Sequence, residues 1–445
     1  MKAHVSIQPD PDRGREPTYV GSAQRKEVYA HFKSGVIVRS PRTRSRAYPG
    51  LRGGAPPTRA FYAELARGVR GGTCLDVGAG AGEGSALLAT RADRVVALER
   101  DAETLVFAKE FTHDVELIRH DVQTTFPELQ AQHAIVADVL GHVQRPLDVL
   151  MHLRQATSAD ARIVIAEPCA VVGQRLSAPL RRAFSAQEMQ RLLRRAGLVH
   201  ERWILERGTF VACWARPERS LWADALVEAA RAEASGQHAV ALDAFTRAAE
   251  SDDEQQKHEA FLGQARNAIA LRRGDAAVRS LHAAQATDPE CAATYAALAE
   301  LALLTDDTEG AFGLGIRALE IDPTERTAAR VVAHAVERLG HPDAPAAWRT
   351  ALSLAPDRGD VASEVARVFA ERGDYANAVH VLERLRAYGD ALGAEFHTTL
   401  GWLLLTDGRI ADARLEAEIA VQLAPEDDAV AELWGAIRTG SKPPQ

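Results

Sequence analysis

Four prolines in the second half of the chain, Pro289, Pro323, Pro356 and Pro425, are spaced by 34, 33 and 69 residues, the last interval being two periods. Each follows an Ala-rich stretch with helical periodicity, at the place where a helix is forced to stop. A period near 34 with no strand signals means two helices per unit, and one such pair cannot bury its apolar face alone. Residues 217–445 are therefore predicted to form an all-α solenoid. The finer register agrees: Tyr295, Leu298, Ala299, Ala311, Ala318 and Pro323 recur as His397, Leu400, Gly401, Ala413, Ala420 and Pro425. Small residues return wherever two helices must approach closely. Six imperfect units start near 222, 258, 292, 325, 359 and 394, and a closing helix covers about 428–438.

Residues 59–216 obey a different rhythm. Short β-type runs, TCLDVG, RVVALE, VELIRH, AIVADV and RIVIAE, alternate with helical stretches, and LVHERWIL and TFVACWA follow as a late hairpin. That order predicts a parallel, doubly wound α/β sheet of seven strands. Residues 1–58 are rich in Pro, Gly and Arg and read as a basic arm, with one apolar run, Val36 to Val38, suited to a short strand.

The first strand leads into LDVGAGAGEGSALLATRADRVVALE, residues 75–99. A glycine turn between a strand and a helix offers backbone N–H groups and a helix N-terminus to a ligand. A dinucleotide site wants G-x-G-x-x-G, yet counting from Gly78 puts Glu83 at the last position, and counting from Gly80 puts Ser85 there. A carboxylate facing a diphosphate is repelled. The loop instead spaces Gly78, Gly80 and Gly82 evenly, with Asp76 inside the preceding strand, and Glu99 ends the next strand. One carboxylate at that place can accept two hydrogen bonds from a vicinal diol.

On these residues the first half resembles the class I S-adenosylmethionine-dependent methyltransferases, whose first motif is an acid before G-x-G-x-G. The resemblance implies a Rossmann-like seven-stranded fold with S-adenosyl-L-methionine as cofactor, bound by Asp76, Gly78, Gly80, Gly82, Glu99, Asp121, Val122 and Asp138. Glu99 is implied at the ribose hydroxyls, Asp121 with Val122 at the adenine, and Asp138 near the methionine portion and substrate. His142, four residues past Asp138, is similar to the histidine of a D-x-L-E-H-V-x-x-P pattern in small-molecule methyltransferases and is the candidate base. Gly141 replaces the usual glutamate of that pattern. The run FSAQEMQRLLRRAGL looks like the late helix of small-molecule members. The second half resembles tetratricopeptide repeats over about 221–426, with Gly315 and Ala417 in place of the usual aromatic of the second helix.

Little side-chain chemistry is needed when the cofactor brings an activated methyl group; alignment and exclusion of water matter most. The function expected is methyl transfer to an O, N or C nucleophile of a small molecule, or of a peptide or protein recruited by the repeats. The alternative is a non-catalytic repeat scaffold with a methyltransferase-like half. Arg175, Arg181 and Arg182 read either as contacts to an anionic substrate or as a solvated basic face, and Tyr48, Arg52 and Tyr62 as contributors over the cofactor.

The net charge of -8 conceals a polarity: residues 1–70 carry 14 basic against 5 acidic groups, and residues 217–445 carry 22 against 38. This suggests that the basic arm docks on the acidic solenoid, or that the solenoid recruits a basic partner. It argues against nucleic acid, whose phosphates the solenoid would repel. No run approaches the ~18 apolar residues of a membrane span. Cys74, Cys169, Cys213 and Cys291 lie far apart, which predicts reduced thiols, no metal site and a cytoplasmic chain.

Overall fold

The computed structural model describes residues 58–171, 179–388 and 392–439. The expected arm up to residue 57, with Val36 to Val38, Tyr48 and Arg52, lies outside the described residues, as does Arg175.

Helix α1 (Arg59–Gly68) precedes a seven-stranded sheet of β1 (Thr73–Val77), β2 (Arg94–Glu99), β3 (Glu116–Arg119), β4 (Ala131–Ala137), β5 (Thr157–Pro168), β6 (Leu198–Leu205) and β7 (Phe210–Pro217). Its spatial order is β3-β2-β1-β4-β5-β7-β6. The first five strands pair in parallel, and β7 runs antiparallel between β5 and β6, with Cys213 opposite both Ile165 and Trp203. Adjacent residues of the central strands are buried together, because parallel strands are covered on both faces. One face packs Leu75, Val96, Val136 and Ile163 against Leu150 and Leu153 of α4 (Pro146–Ala156) and Leu193 of α5 (Ala186–Arg195). The other packs Cys74, Val95, Ile135 and Val164 against Phe61, Tyr62 and Leu65 of α1. Helices α2 (Glu83–Ala89) and α3 (Ala102–Phe111) complete the early crossovers.

The expected helix between β3 and β4 is absent. Asp121 instead makes a turn, its carboxylate accepting the Gln123 N–H at 3.0 Å, and Pro127 occupies the rest of a segment too short for another helix.

Beyond β7, six antiparallel helix pairs follow: α6 (Leu221–Ala234) with α7 (His238–Ala248), α8 (Glu254–Ala270) with α9 (Gly274–Thr287), and α10 (Ala292–Leu304) with α11 (Thr308–Ile321). Then come α12 (Arg326–Arg338) with α13 (Ala344–Leu354), α14 (Gly359–Ala370) with α15 (Tyr375–Glu383), and α16 (Ala394–Thr406) with α17 (Ile410–Leu423). Helix α18 (Asp428–Thr439) packs on the last pair. The four periodic prolines each lie two residues past a helix end. Gly315 is explained by contact: a Cβ there would sit 2.7 Å from Cγ2 of the fully buried Val332. An aromatic would have no room.

The two halves are joined by helix α5, whose basic side chains meet the acidic first helices of successive pairs. Arg191 binds Glu259 at 2.7 Å, Arg195 binds Glu233 at 2.8 Å, and Arg194 reaches Gln255. Gln187 donates to the Glu290 carbonyl at 2.9 Å and accepts from the Ala292 N–H at 3.0 Å. Glu188 pairs with Arg326. The FSAQEMQRLLRRAGL run is thus one element that engages the acidic solenoid.

Two glycines of α11 test this account. Gly313 faces open space, so Gly313→Ala should raise stability in urea unfolding by roughly 0.5–1 kcal/mol through helix propensity. Gly315→Ala should lower it by roughly 1–2 kcal/mol, since Val332 cannot give way cheaply.

Candidate active site

The site lies at the C-terminal ends of β1, β2 and β4. Gly78 and Ala79 donate to the Leu98 carbonyl at 2.8 and 3.0 Å, which fastens the loop to β2. Gly78, Gly80 and Gly82 all have positive φ, at 75°, 55° and 80°. Their surroundings differ. A Cβ on Gly78 would strike Val139 at 2.4 Å and one on Gly82 would meet Thr112 at 2.8 Å, whereas nothing lies within 4 Å of that position on Gly80. Gly80 is therefore where the loop faces open space. Glu99 reaches the same place: Oε2 accepts the Gly80 N–H at 3.0 Å and Oε1 the Asp101 N–H at 2.8 Å. Half-buried, it presents its carboxylate toward the crevice. Asp121 is half-buried after β3 and Val122 is buried beside it.

Asp76 is placed differently from the sequence expectation. It is fully buried, and both carboxylate oxygens are taken from behind the loop, Oδ1 by the Tyr62 hydroxyl at 2.7 Å and Oδ2 by the Ser85 hydroxyl at 2.6 Å. Burial pushes its acid up to about 6 despite those two donors. Tyr62 belongs to this buttress rather than to a cover over the cofactor, and its ring packs where a Cβ on Gly84 would fall, 2.3 Å from Cε1. Asp76 supports the loop from within.

Past β4 the chain turns sharply. Asp138 adopts φ 59°, a left-handed conformation uncommon outside glycine. Its carboxylate stands 3.3 Å from Nε2 of His142, and with the Pro179 carbonyl it raises the imidazole above its usual range, the Asp138 hydrogen bond being the largest cause. The turn is braced by a residue the sequence reading passed over. Glu167, fully buried at the end of β5, accepts the N–H groups of Val139, Leu140 and Gly141 at 3.0, 2.9 and 3.0 Å. Desolvation nonetheless lifts its acid to about 7. An ionisable residue closing the apolar run RIVIAE was the available signal. Gly141 is required here, because a Cβ would meet Leu180 at 2.7 Å and the Arg182 carbonyl at 2.8 Å.

Arg181 and Arg182 do not form the solvated basic face that was one expectation. Arg181 is buried and donates to the Tyr388 carbonyl at 2.6 Å, with Asp357 at 3.6 Å. Arg182 donates to the Gln144 carbonyl at 3.0 Å, and burial, then Arg326, lowers it to about 10. Both serve the junction with the solenoid. A cavity of about 680 Å³ opens there, lined among others by Arg145, Pro146, Arg182, Glu188, Arg326 and Arg358. Away from it, His258, Asp288 and Cys291 bring ligand atoms within 4.8 Å of one another, a grouping the sequence reading did not consider. Both members of the Arg191–Glu259 ion pair act on this grouping.

The methyltransferase domain model matches residues 55–201, and the tetratricopeptide repeat model matches residues 262–326 and 364–428. The chain joins a methyltransferase domain to tetratricopeptide repeats. None of the curated proteins matches it. Among solved structures, a TehB-like SAM-dependent methyltransferase from Corynebacterium glutamicum is 17% identical over 36% of this chain and 88% of its own, with a TM-score of 0.31. The DhpI-SAH complex is 20% identical over 44% of this chain and 97% of its own, with a TM-score of 0.32. A SAM dependent methyltransferase from Aquifex aeolicus is 20% identical over 36% and 93%, with a TM-score of 0.31.

S-adenosylmethionine is the cofactor of such a domain, and the residues fit it: open space beside Gly80 and, beside that space, a carboxylate held by the Gly80 N–H. Among the described residues no helix is long and apolar enough to cross a membrane.

The two buried acids make stability depend on pH in a stated direction. Both have folded values above the ~4 of an unfolded carboxyl, so their contribution is complete below about pH 4 and is lost as pH rises through about 6 and about 7. In urea titrations across pH 4–8, Asp76→Asn should remove a loss that runs from about pH 4 to about 6 and Glu167→Gln one that runs from about pH 4 to about 7, each read as a difference from the parent chain.

Proposed function

We propose that this protein is an S-adenosylmethionine-dependent methyltransferase acting on an O, N or C nucleophile of a small molecule. The observation that carries the reading is the Glu99 carboxylate directed at the Gly80 N–H beside open space. Gly78, Gly80 and Gly82 shape the cradle, Glu99 accepts the ribose hydroxyls, Asp121 with Val122 takes the adenine, and Asp138 lies toward the methionine portion. Asp76 contributes by holding the loop through Tyr62 and Ser85.

When bound, the cofactor supplies an electrophilic methyl group on a sulfonium. The chain's own work is to align a nucleophile and keep water out. His142 is the proposed base. It has Asp138 to stabilise the imidazolium that forms, and its raised affinity for protons makes activity rise with pH through a value above the ordinary histidine range. A small acceptor is favoured because the first helices of the solenoid already hold α5. The reading includes a reduced, cytoplasmic setting, supported by four free cysteines.

Calorimetric titration of the full chain with S-adenosylhomocysteine tests the assignment. Binding is expected, and Glu99→Ala should weaken it by about 2–4 kcal/mol, roughly 30- to 1,000-fold, for two lost charge-assisted hydrogen bonds. No detectable binding by the parent chain would leave the scaffold reading standing. Isotopically labelled cofactor incubated with size-fractionated cell extract decides the acceptor, and label confined to protein-sized fractions would overturn the small-molecule assignment.

A further inference from the structure

The repeats do more than border the site. Residues 179–185 form a short strap whose two edges belong to different halves of the chain. On one edge, the Arg181 and Arg182 N–H groups donate to the Gly141 carbonyl at 2.8 and 3.3 Å, next to His142 in the chain. The Phe184 N–H donates to the Pro168 carbonyl at 2.9 Å and its carbonyl accepts the Ala170 N–H at 3.0 Å. The strap is therefore bonded to the chain just past Glu167, at the end of β5, and directly to the turn that carries His142.

On the other edge the strap is held by the solenoid. The Arg181 guanidinium donates to the Tyr388 carbonyl at 2.6 Å, lies 5.4 Å over the Tyr388 ring, and faces Asp357 at 3.6 Å. Ser185 donates to Asp322 at 2.5 Å, and Glu188 pairs with Arg326 just beyond. These anchors come from segments up to 207 residues away in sequence. A guanidinium buried to 5% exposure cannot relax into water, so its position follows the backbone of the repeats.

We propose that the tetratricopeptide half positions His142, and that Arg181 is the positioning residue that transmits it: its side chain is fixed by Tyr388 and Asp357 while its own N–H holds the Gly141 carbonyl. The repeats then set the geometry of the acceptor side of the site, and a ligand that shifts Tyr388 or Asp357 alters transfer without touching the cofactor. This rests on the methyltransferase reading for its consequence, but the geometry can be tested without it. The close fit at Gly141 gives the coupling its stiffness, since the strap's Arg182 carbonyl lies 2.8 Å from where a Cβ would be.

The test follows the His142 imidazole in the full chain by NMR, with labelled histidine and His142→Gln to assign the resonance. The charged and polar groups facing that ring are Asp138, Glu167 and the Pro179 carbonyl. Arg181→Ala should lower the His142 titration midpoint by about half a unit, because the turn at Gly141 is then no longer fixed from the solenoid and the ring is held less closely to Asp138. Arg181→Lys, which can still donate to Tyr388, should recover most of the shift. Asp357→Asn should give a smaller shift of the same sign and supplies the reading if Arg181→Ala fails to fold. Gly141→Ala reaches the same contact from the other edge and should move the midpoint likewise. S-adenosylhomocysteine affinity should stay within about twofold for the Arg181 and Asp357 variants, since neither side chain lies at the loop. An unchanged His142 midpoint in the folded Arg181 or Asp357 variants would overturn the proposal and leave Arg181 as an interface anchor. Failure of the parent chain to bind S-adenosylhomocysteine would instead undo the functional reading, with the titration still deciding the coupling.

Discussion

One buried carboxylate organises the acceptor side of this molecule. Glu167 gives up water entirely at the end of β5 and accepts three consecutive N–H groups from the turn after β4. Charge-assisted hydrogen bonds of this kind contribute about 1.5–3 kcal/mol each. Its acid is still raised to about 7, equivalent to about 3 kcal/mol against the charged form, so desolvation slightly outweighs the three donors near neutrality. The price is accepted for position. Without those bonds three amides would be orphaned, Asp138 would have no reason to hold φ 59°, and His142 would not meet it.

A similar device supports the cofactor side. Tyr62 and Ser85 close on Asp76 below the glycine loop, so that Gly78 and Gly82 pack tightly and only Gly80 faces open space. In both places an ionisable group works from behind the site. The crevice itself is left to Glu99, which is held by the Gly80 and Asp101 N–H groups.

The junction between halves explains the charge polarity of the chain in part. Acidic side chains of the first solenoid helices, Glu233 and Glu259, meet Arg195 and Arg191 of α5. Arg195, Arg182 and Arg194 are nonetheless shifted toward release of a proton by burial, while Arg191 and Arg326 are held more firmly by their partners. The interface is thus unevenly neutralised. Its ion pairs fix orientation more than they add stability, since each buried pair also loses its hydration.

Local pattern was enough for the α/β fold, the seven strands, the paired helices and the positions of the loop glycines. Alternating apolar runs, a 34-residue proline period and a strand–glycine–helix sequence are each written in neighbouring residues, and each has a single backbone solution. The missing helix before β4 was a local misjudgement, where Asp121 and Pro127 favour turns. What the sequence could not determine depends on groups far apart along the chain. Glu167 braces residues 26 to 28 positions earlier, Tyr62 caps an acid 14 positions later, and Arg181 is fixed by Tyr388 across 207. Burial and hydrogen-bond partners decide whether a carboxylate faces a ligand or supports a loop, and whether an arginine is solvated or anchored. Those are properties of packing, so only the tertiary structure could turn Asp76 inward, leave Glu99 at the crevice and give the solenoid a hold on His142.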